Sequence, residues 1–333
     1  MGLLIGTSEG MFVVDDNSAP AAGAGLAGGS VHALRQANGS ILAGAADGVY
    51  RSDDAGHSWQ PSGCDGQDVW AIAVSAANQH LIYAGVHPAA LFRSDDDGRS
   101  WAPIPSLRGV PGAENWRLPS DPNGSRALAL VLDDTRPEHL WVGVEVGGIL
   151  ETSDGGATWM CMLAGRNPDI HGLARDPARP DVLYAATGYG RLDENDPVEP
   201  AGVYRSDDGG ESWRYAWPDA DRRWTRPMCI DARAPHALTV ASCPNFQSSQ
   251  RNPGGAQSML YQSTDGATTW RSLGDATHAP SAVNITAIAV APERPGRVVV
   301  GMENGEVWQV SPEAEWTPLA SGLPPVQALL SIG

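Results

Sequence analysis

The sequence predicts an all-β protein: a seven-bladed β-propeller of four-stranded antiparallel blades, closed by pairing of its N- and C-terminal strands. Three observations predict it. One octapeptide recurs five times, as SDDAGHSW (Ser52–Trp59), SDDDGRSW (Ser94–Trp101), TSDGGATW (Thr152–Trp159), SDDGGESW (Ser206–Trp213) and STDGATTW (Ser263–Trp270). Around each copy the apolar runs and turns follow one order, as a repeat architecture requires. The chain also carries 39 glycines and 26 prolines and lacks long apolar helical patterns, which fits many short strands joined by turns.

The unit Val31–Gly63 shows the pattern. VHAL is a first strand, ILAGA a second and VYRS a third; the octapeptide and a short fourth strand follow. The strands are rich in β-branched and aromatic residues. The same order starts again at Val69 (VWAIAVS, LIYAG, LFRS), Arg126 (RALALVL, HLWVGV, ILETS) and Ile170 (IHGLARD, VLYAAT, GVYRS). It starts twice more, at Pro227 (PMCIDAR, ALTVAS, MLYQS) and Ile285 (ITAIAVA, RVVVGM, EVWQVS). Val326–Ile332 supplies only a first strand and Leu3–Val14 only a second and third, so the two ends complete a seventh blade. Closure leaves no sheet edge open. The blades fall at residues 326–333 with 1–25, then 31–63, 69–104, 126–162, 170–216, 226–272 and 284–319, in one domain spanning 1–333.

Composition narrows the function classes. The net charge is −17 and there is no lysine among the 333 residues. Schiff-base lysine chemistry is therefore excluded, and nucleic acid or an anionic membrane is not the expected partner. The N-terminal stretch MGLLIGTSEGMFVVDD lacks the basic flank and long apolar core of a signal peptide. No segment approaches the roughly 20 apolar residues of a membrane helix. Cys64, Cys161, Cys229 and Cys243 show no metal or redox spacing, which points to a cytoplasmic, thiol-reduced protein. Cys229 and Cys243 are expected as near neighbours on paired strands, as packed thiols.

The octapeptides resemble Asp boxes, the Ser-x-Asp-x-Gly-x-x-Trp turns of BNR-repeat propellers, a group that includes sialidases and other glycoside hydrolases. Ser52/Asp54/Gly56/Trp59, Ser94/Asp96/Gly98/Trp101 and Ser206/Asp208/Gly210/Trp213 match in full. Thr152 replaces the serine in the third copy, Ala267 the glycine in the fifth, and the last blade keeps only Trp316. The resemblance implies that Asp54, Asp96, Asp154, Asp208 and Asp265 are structural, on hairpins between third and fourth strands. Their chemistry agrees: carboxylate takes turn N–H groups, glycine permits positive φ, and the indole packs between blades. A calcium loop is excluded, since the closing glutamate is absent. The sialidase relatives imply an arginine triad and a tyrosine nucleophile in a six-bladed ring. Arginines and Tyr189 are present, but the early Arg-Ile-Pro signature is not, and the blade count differs.

Propeller topology puts the octapeptides on one face and the long insertions, 102–125, 187–201, 214–226 and 243–258, on the other. Function is expected on the elaborated face. Aligned first strands give a small column (Ala33, Ala71, Ala127, Gly172, Cys229, Ala287, Ala328) followed by a large aliphatic one (Leu34, Ile72, Leu128, Leu173, Ile230, Ile288, Leu329). The column before them is chemically mixed: His32, Trp70, Arg126, His171, Met228, Thr286 and Gln327. It is expected at the mouth of the central channel, joined by His87, Glu145 and Glu303 from second-strand ends.

The expected function is that of an enzyme, hydrolase or lyase in type, acting there on a small polar, anionic or carbohydrate-like molecule. His32 or His171 would serve as general acid/base, Arg126 would hold an anionic group, Glu145 would orient or share the proton, and Tyr189 would lie above. Trp70, Trp116, Arg117, Arg222, Trp224, Arg226 and Gln327 would bind the ligand, with Trp217 and Arg223 nearby. Paired carboxylates for glycoside hydrolysis could come from Glu145, Glu303, Asp193, Glu194 and Asp196. No cofactor is certain; a divalent metal held by His32, His87, His171 and His278 is the cofactor alternative. A non-catalytic scaffold that grips a protein or ligand is the functional alternative. The segment GTSEG at Gly6–Gly10 fits G-x-S-x-G, but it leads into a strand rather than a helix, so it is no nucleophile elbow.

Overall fold

The computed structural model describes residues 2–14, 22–118, 124–163, 165–189, 199–245 and 253–332. They form seven four-stranded antiparallel sheets around a central channel. Blade 1 comprises Val31–Ala37, Ser40–Ala45, Gly48–Ser52 and Gln60–Gly63, from the channel outward. Blade 2 comprises Asp68–Val74, Ile82–His87, Ala90–Ser94 and Ala102–Pro103. Blade 3 runs through Ala127–Leu132, Leu140–Val144, Gly148–Thr152 and Met160–Met162. Blade 4 runs through Ile170–Asp176, Arg179–Thr187, Gly202–Ser206 and Arg214–Tyr215. Blade 5 holds Trp224–Ile230, Leu238–Cys243, Met259–Ser263 and Arg271–Ser272, and blade 6 Ile285–Val290, Val298–Met302, Val307–Val310 and Trp316–Ala320.

Blade 7 is the closure. Its inner strand is Val326–Ile332, paired with Gly2–Thr7, which pairs in turn with Gly10–Val14 and Ala22–Gly25. Ser8 in the segment GTSEG sits in the hairpin between Thr7 and Gly10, a strand-to-strand turn. No helix among the described residues is long and apolar enough to cross a membrane.

Second strands are the most buried, and the core lies between blades. Leu4, Met11, Val31, Leu34 and Ala43, for example, join blades 7 and 1. Glycine at the centre of several second strands lets the next blade approach. A Cβ on Gly85 would lie 2.5 Å from the Ala127 carbonyl oxygen, a distance real side chains do not reach.

The five octapeptides are hairpin turns. In the first, the Asp54 carboxylate accepts from the Ser52 hydroxyl (2.8 Å), the Ser58 amide (2.8 Å) and the Ser58 hydroxyl (2.6 Å). The Trp59 indole donates to the Gly56 carbonyl at 3.1 Å and packs against the blade 7–blade 1 core. Asp208 repeats these contacts with Ser206 and Ser212. Hydrogen bonds from Ser58 and Ser212 hold the Asp54 and Asp208 carboxyls down at about 2. These aspartates are spent on turns.

Two local expectations are corrected. Cys229 pairs with Thr239 and Cys243 with Trp224, so the two thiols are not neighbours; none of the four cysteines is in a disulfide. The insertion after blade 2 does not overhang the channel mouth through its aromatic residue. It folds into two short 3-10 turns, Pro105–Gly109 and Ala113–Asn115, that bury Leu107, Ala113 and Trp116 in the core between blades 2 and 3.

Candidate functional site at the channel mouth

Each inner strand carries a register irregularity near its start. In blade 1, Val31 faces Ala45 but Ala33 faces Gly44, so His32 is an extra residue. The same insertion falls on Trp70, Leu128, His171, Thr286 and Gln327. In blade 5 it spans Arg226 and Pro227. A bulge re-aims the extra side chain away from the sheet. All seven bulge positions, with Arg226 in blade 5, line one channel cavity of about 510 Å3.

The mixed column is therefore His32, Trp70, Leu128, His171, Arg226, Thr286 and Gln327. Arg126 and Met228 each stand two residues away from the position expected for them. Residues two positions before the bulges form a second ring, which includes Asp68, Arg126, Asp169, Trp224 and Asn284. Asp68 and Asp169 are not among the residues expected from the sequence. Their signal was present, an aspartate at i−2 from Trp70 and from His171.

Around Trp70 the two rings interlock. His32 Nε2 lies 3.1 Å from Asp68 Oδ1, and the Trp70 indole donates to Asp68 Oδ2 at 2.7 Å. The His32 ring stacks on Trp70 at 4.0 Å and 11°. The guanidinium carbons of Arg126 and Arg226 lie 4.7 and 5.6 Å from the same indole. Trp70 thus gathers charged groups around its ring while lining the cavity. Burial alone would raise the Asp68 carboxyl, but contacts with His32 and the Trp70 N–H hold it below the usual range. The His32 side chain is only 7% exposed, and its Nδ1 has no hydrogen-bond partner among the described residues.

Behind Arg126 lies a second charged group. Arg126 donates to Glu145 Oε2 at 2.9 Å. Glu145, Asp169 and His171 are all buried, each offering one ligand atom within 4.8 Å of the others. His171 Nε2 is 3.3 Å from Asp169 Oδ1, and Nδ1 is 3.1 Å from the Thr225 carbonyl. Burial pushes the His171 pKa down, yet the Asp169 carboxylate and then Glu145 outweigh it, so the net shift is upward. Burial lowers the Arg226 pKa, with Glu145 opposing. Gly188 makes room here: a Cβ would fall 2.3 Å from His171 Cε1.

The other expected residues divide between the cavity wall and the rest of the molecule. Trp224 lines the cavity at 4.7 Å from the His171 ring, and Gln327 and Glu303 line it too. Tyr189 follows Gly188 but is 46% exposed and outside the cavity lining. Trp116 is core, with Arg108 over its ring, and Trp217 is core against Tyr261 and Trp270. Arg117 is exposed beyond it. Arg222 donates to the Gln257 carbonyl at 2.8 Å, tying loops together rather than facing the channel. Asp193, Glu194 and Asp196 lie outside the described residues.

The expected four-histidine site does not assemble. His32 and His87 share Asp68, with His87 at 3.7 Å, whereas His171 belongs to Asp169. His278 stacks on Trp316 at 4.0 Å, among outer strands. Among the described residues, Glu145, Asp169 and His171 form the group with metal-ligand spacing.

No family model and no curated protein matches the sequence. Solved structures share its fold. The GH74 enzyme of Niastella koreensis superposes with a TM-score of 0.66 at 17% identity, over 96% of this chain and 47% of that one. The GH74 xyloglucanase from Xanthomonas campestris gives 0.61 at 17%, over 96% and 46%. YCF48 from Cyanidioschyzon merolae gives 0.58 at 14%, over 88% and 87%. The chain spans about half the length of the GH74 enzymes it resembles. At these identities the likeness establishes the propeller fold, shared by glycoside hydrolases and by YCF48, which has been solved with a D1 peptide.

Proposed function

We propose that the protein is an enzyme of hydrolase or lyase type that binds a small anionic, carbohydrate-like molecule in the channel mouth. The observation that carries this reading is the meeting of the His32–Asp68 pair with Arg126 and Arg226 around one indole. Arg126 is already paired with Glu145 at 2.9 Å, so Arg226, which faces the cavity beside it, is the cation that an anionic ligand would meet. Arg226 lines the cavity and Arg126 packs on the same ring.

The acid/base group best placed for proton transfer is His32 rather than His171. Both nitrogens of His171 face fixed partners and its side chain is 2% exposed. In His32, Asp68 orients Nε2 and leaves Nδ1, a buried atom of the cavity wall, without a partner among the described residues, so a carboxylate-held imidazole would work at its other nitrogen once a ligand reaches it. The arginines would stabilise negative charge as it develops. Structural kinship with GH74 glycoside hydrolases is compatible with a sugar-like substrate, and kinship with YCF48 with a scaffold role.

The deciding experiment is a thermal-melt panel of uronic acids, sialic acid and sugar phosphates beside their neutral counterparts. Stabilisation by anionic members only, lost in Arg226→Met and retained in His32→Gln together with loss of turnover, is the expected result. Equal response to neutral sugars, or no response in the parent protein, would sink this reading and favour the scaffold.

A further inference from the structure

The His171–Asp169 contact poses a problem of proton placement. The Thr225 carbonyl can only accept, so its 3.1 Å contact fixes the proton on His171 Nδ1. Nε2 then turns a lone pair toward Asp169 Oδ1 at 3.3 Å, and that buried oxygen has no hydrogen-bond partner among the described residues. The Asp169 side chain is only 10% exposed, so water does not readily take the role. Something positive must lie between them.

A proton on Nε2 would serve that one pair. Glu145, held by Arg126, brings a third ligand atom to the same point, all three lying within 4.8 Å of one another, where a proton on Nε2 would leave a wider donor set than one pair needs. We infer that Glu145, Asp169 and His171 form a binding site for one divalent cation. Three donors at these separations need only small side-chain movements to reach bonds of about 2.0–2.2 Å. Two carboxylates with one imidazole suit Mn2+ or Zn2+. A ligating histidine usually donates its other N–H to a carbonyl or carboxylate, and here Thr225 supplies the carbonyl.

Nearby cations set the terms of binding. Arg126 donates to Glu145 Oε2, and the half-buried Arg226 stands close enough to feel both carboxylates. With a neutral imidazole, the two arginines and two carboxylates cancel, so the ion is held by coordination geometry rather than by a surplus of negative charge. Because His171 also belongs to the cavity wall, the ion would sit at the edge of the anion pocket. The inference does not depend on the acid/base assignment of His32.

Calorimetry of the chelator-treated full-length protein with MnCl2 and ZnCl2, paired with Mn2+ electron spin resonance, tests it. One ion per chain is expected for the parent. Glu145→Gln and Asp169→Asn should each weaken binding at least about tenfold, while His57→Ala on the opposite face leaves it unchanged. Where Asp169→Asn fails to fold, Glu145→Gln and the parent stoichiometry decide. Absence of binding at millimolar metal, or equal binding by parent and both variants, overturns the site and leaves a protonated His171 in its place. Neither result touches the anion-melt panel, so the two readings fail separately.

Discussion

Asp68 reaches from the first position of blade 2 to His32 of blade 1, placing Oδ1 3.1 Å from His32 Nε2 while its other oxygen accepts from the Trp70 indole. One carboxylate therefore fixes both partners of the His32–Trp70 stack. Asp68→Asn can keep the contact's shape but not its charge. If His32 works through Nδ1, turnover should fall by roughly 100-fold or more, with anion-induced stabilisation retained. Steady-state kinetics beside thermal melts check this, and unchanged turnover would remove His32–Asp68 from the mechanism.

Gly188 tests the packing of the His171 group. An added Cβ would meet His171 Cε1 at 2.3 Å and Asp169 Oδ2 at 2.4 Å. Gly188→Ala should cost about 1–3 kcal/mol by overpacking and should disturb Asp169 and His171 together. Chemical denaturation measures the first effect. A parent-like midpoint would mean that this wall yields freely.

Trp116 separates core from ligand site. It is buried among Leu107, Ala113, Val144 and neighbours, so Trp116→Ala should lower stability by about 3–5 kcal/mol. Any ligand response per folded molecule should persist. A variant that melts like the parent but no longer responds to ligand would return Trp116 to the binding surface.

The octapeptide carboxyls predict acid behaviour. Asp54, Asp154, Asp208 and Asp265 are held at about 2, mainly by hydrogen bonds from the hydroxyl and amide four residues on; at Asp265, burial opposes these bonds. A carboxyl lowered in the folded state from a usual value of about 4 stabilises fully above that value. The contribution drains away as pH falls from about 4 toward 2. Circular dichroism melts across that window should show a falling midpoint, with a shallower slope in Asp208→Asn. Because these groups are solvent-exposed, the effect per residue is small. An identical slope in the variant would contradict the assigned hydrogen bonds.

Ring closure predicts an all-or-none consequence. Removing 326–333 takes away the inner strand paired with Gly2–Thr7 and the bulge residue Gln327. It exposes an apolar strand edge beside Leu4 and Ile5. Loss of soluble, cooperative folding is expected, read by size-exclusion chromatography and scanning calorimetry. A truncated chain with a parent-like transition would refute closure as the stabilising element.

The sequence by itself determined the number of blades, the strand order, the terminal closure and the hairpin turns that Asp54, Asp96, Asp154, Asp208 and Asp265 bind. These rest on local signals: turn chemistry repeats at each hairpin, and strand alternation needs only near neighbours. The channel-mouth column was legible at His32, Trp70, His171, Thr286 and Gln327. It slipped by two residues in blades 3 and 5, where Arg126 and Met228 were placed in the column instead of Leu128 and Arg226. A slip of one residue would have moved the side chains to the wrong face and been noticed; a slip of two keeps the alternation intact.

Only the tertiary structure decided which side chains meet. Asp68 joins His32 across a blade boundary, Asp169 and Glu145 gather on His171, and Arg226 crosses to the Trp70 ring. The same holds for the displaced expectations, since Trp116 and His278 turned inward to other indoles and core residues. Convergence in a propeller is set by bulges and by the angle between neighbouring blades. Neither is written in the pattern of any single strand, so the fold could be read from the sequence while the partners in the site could not.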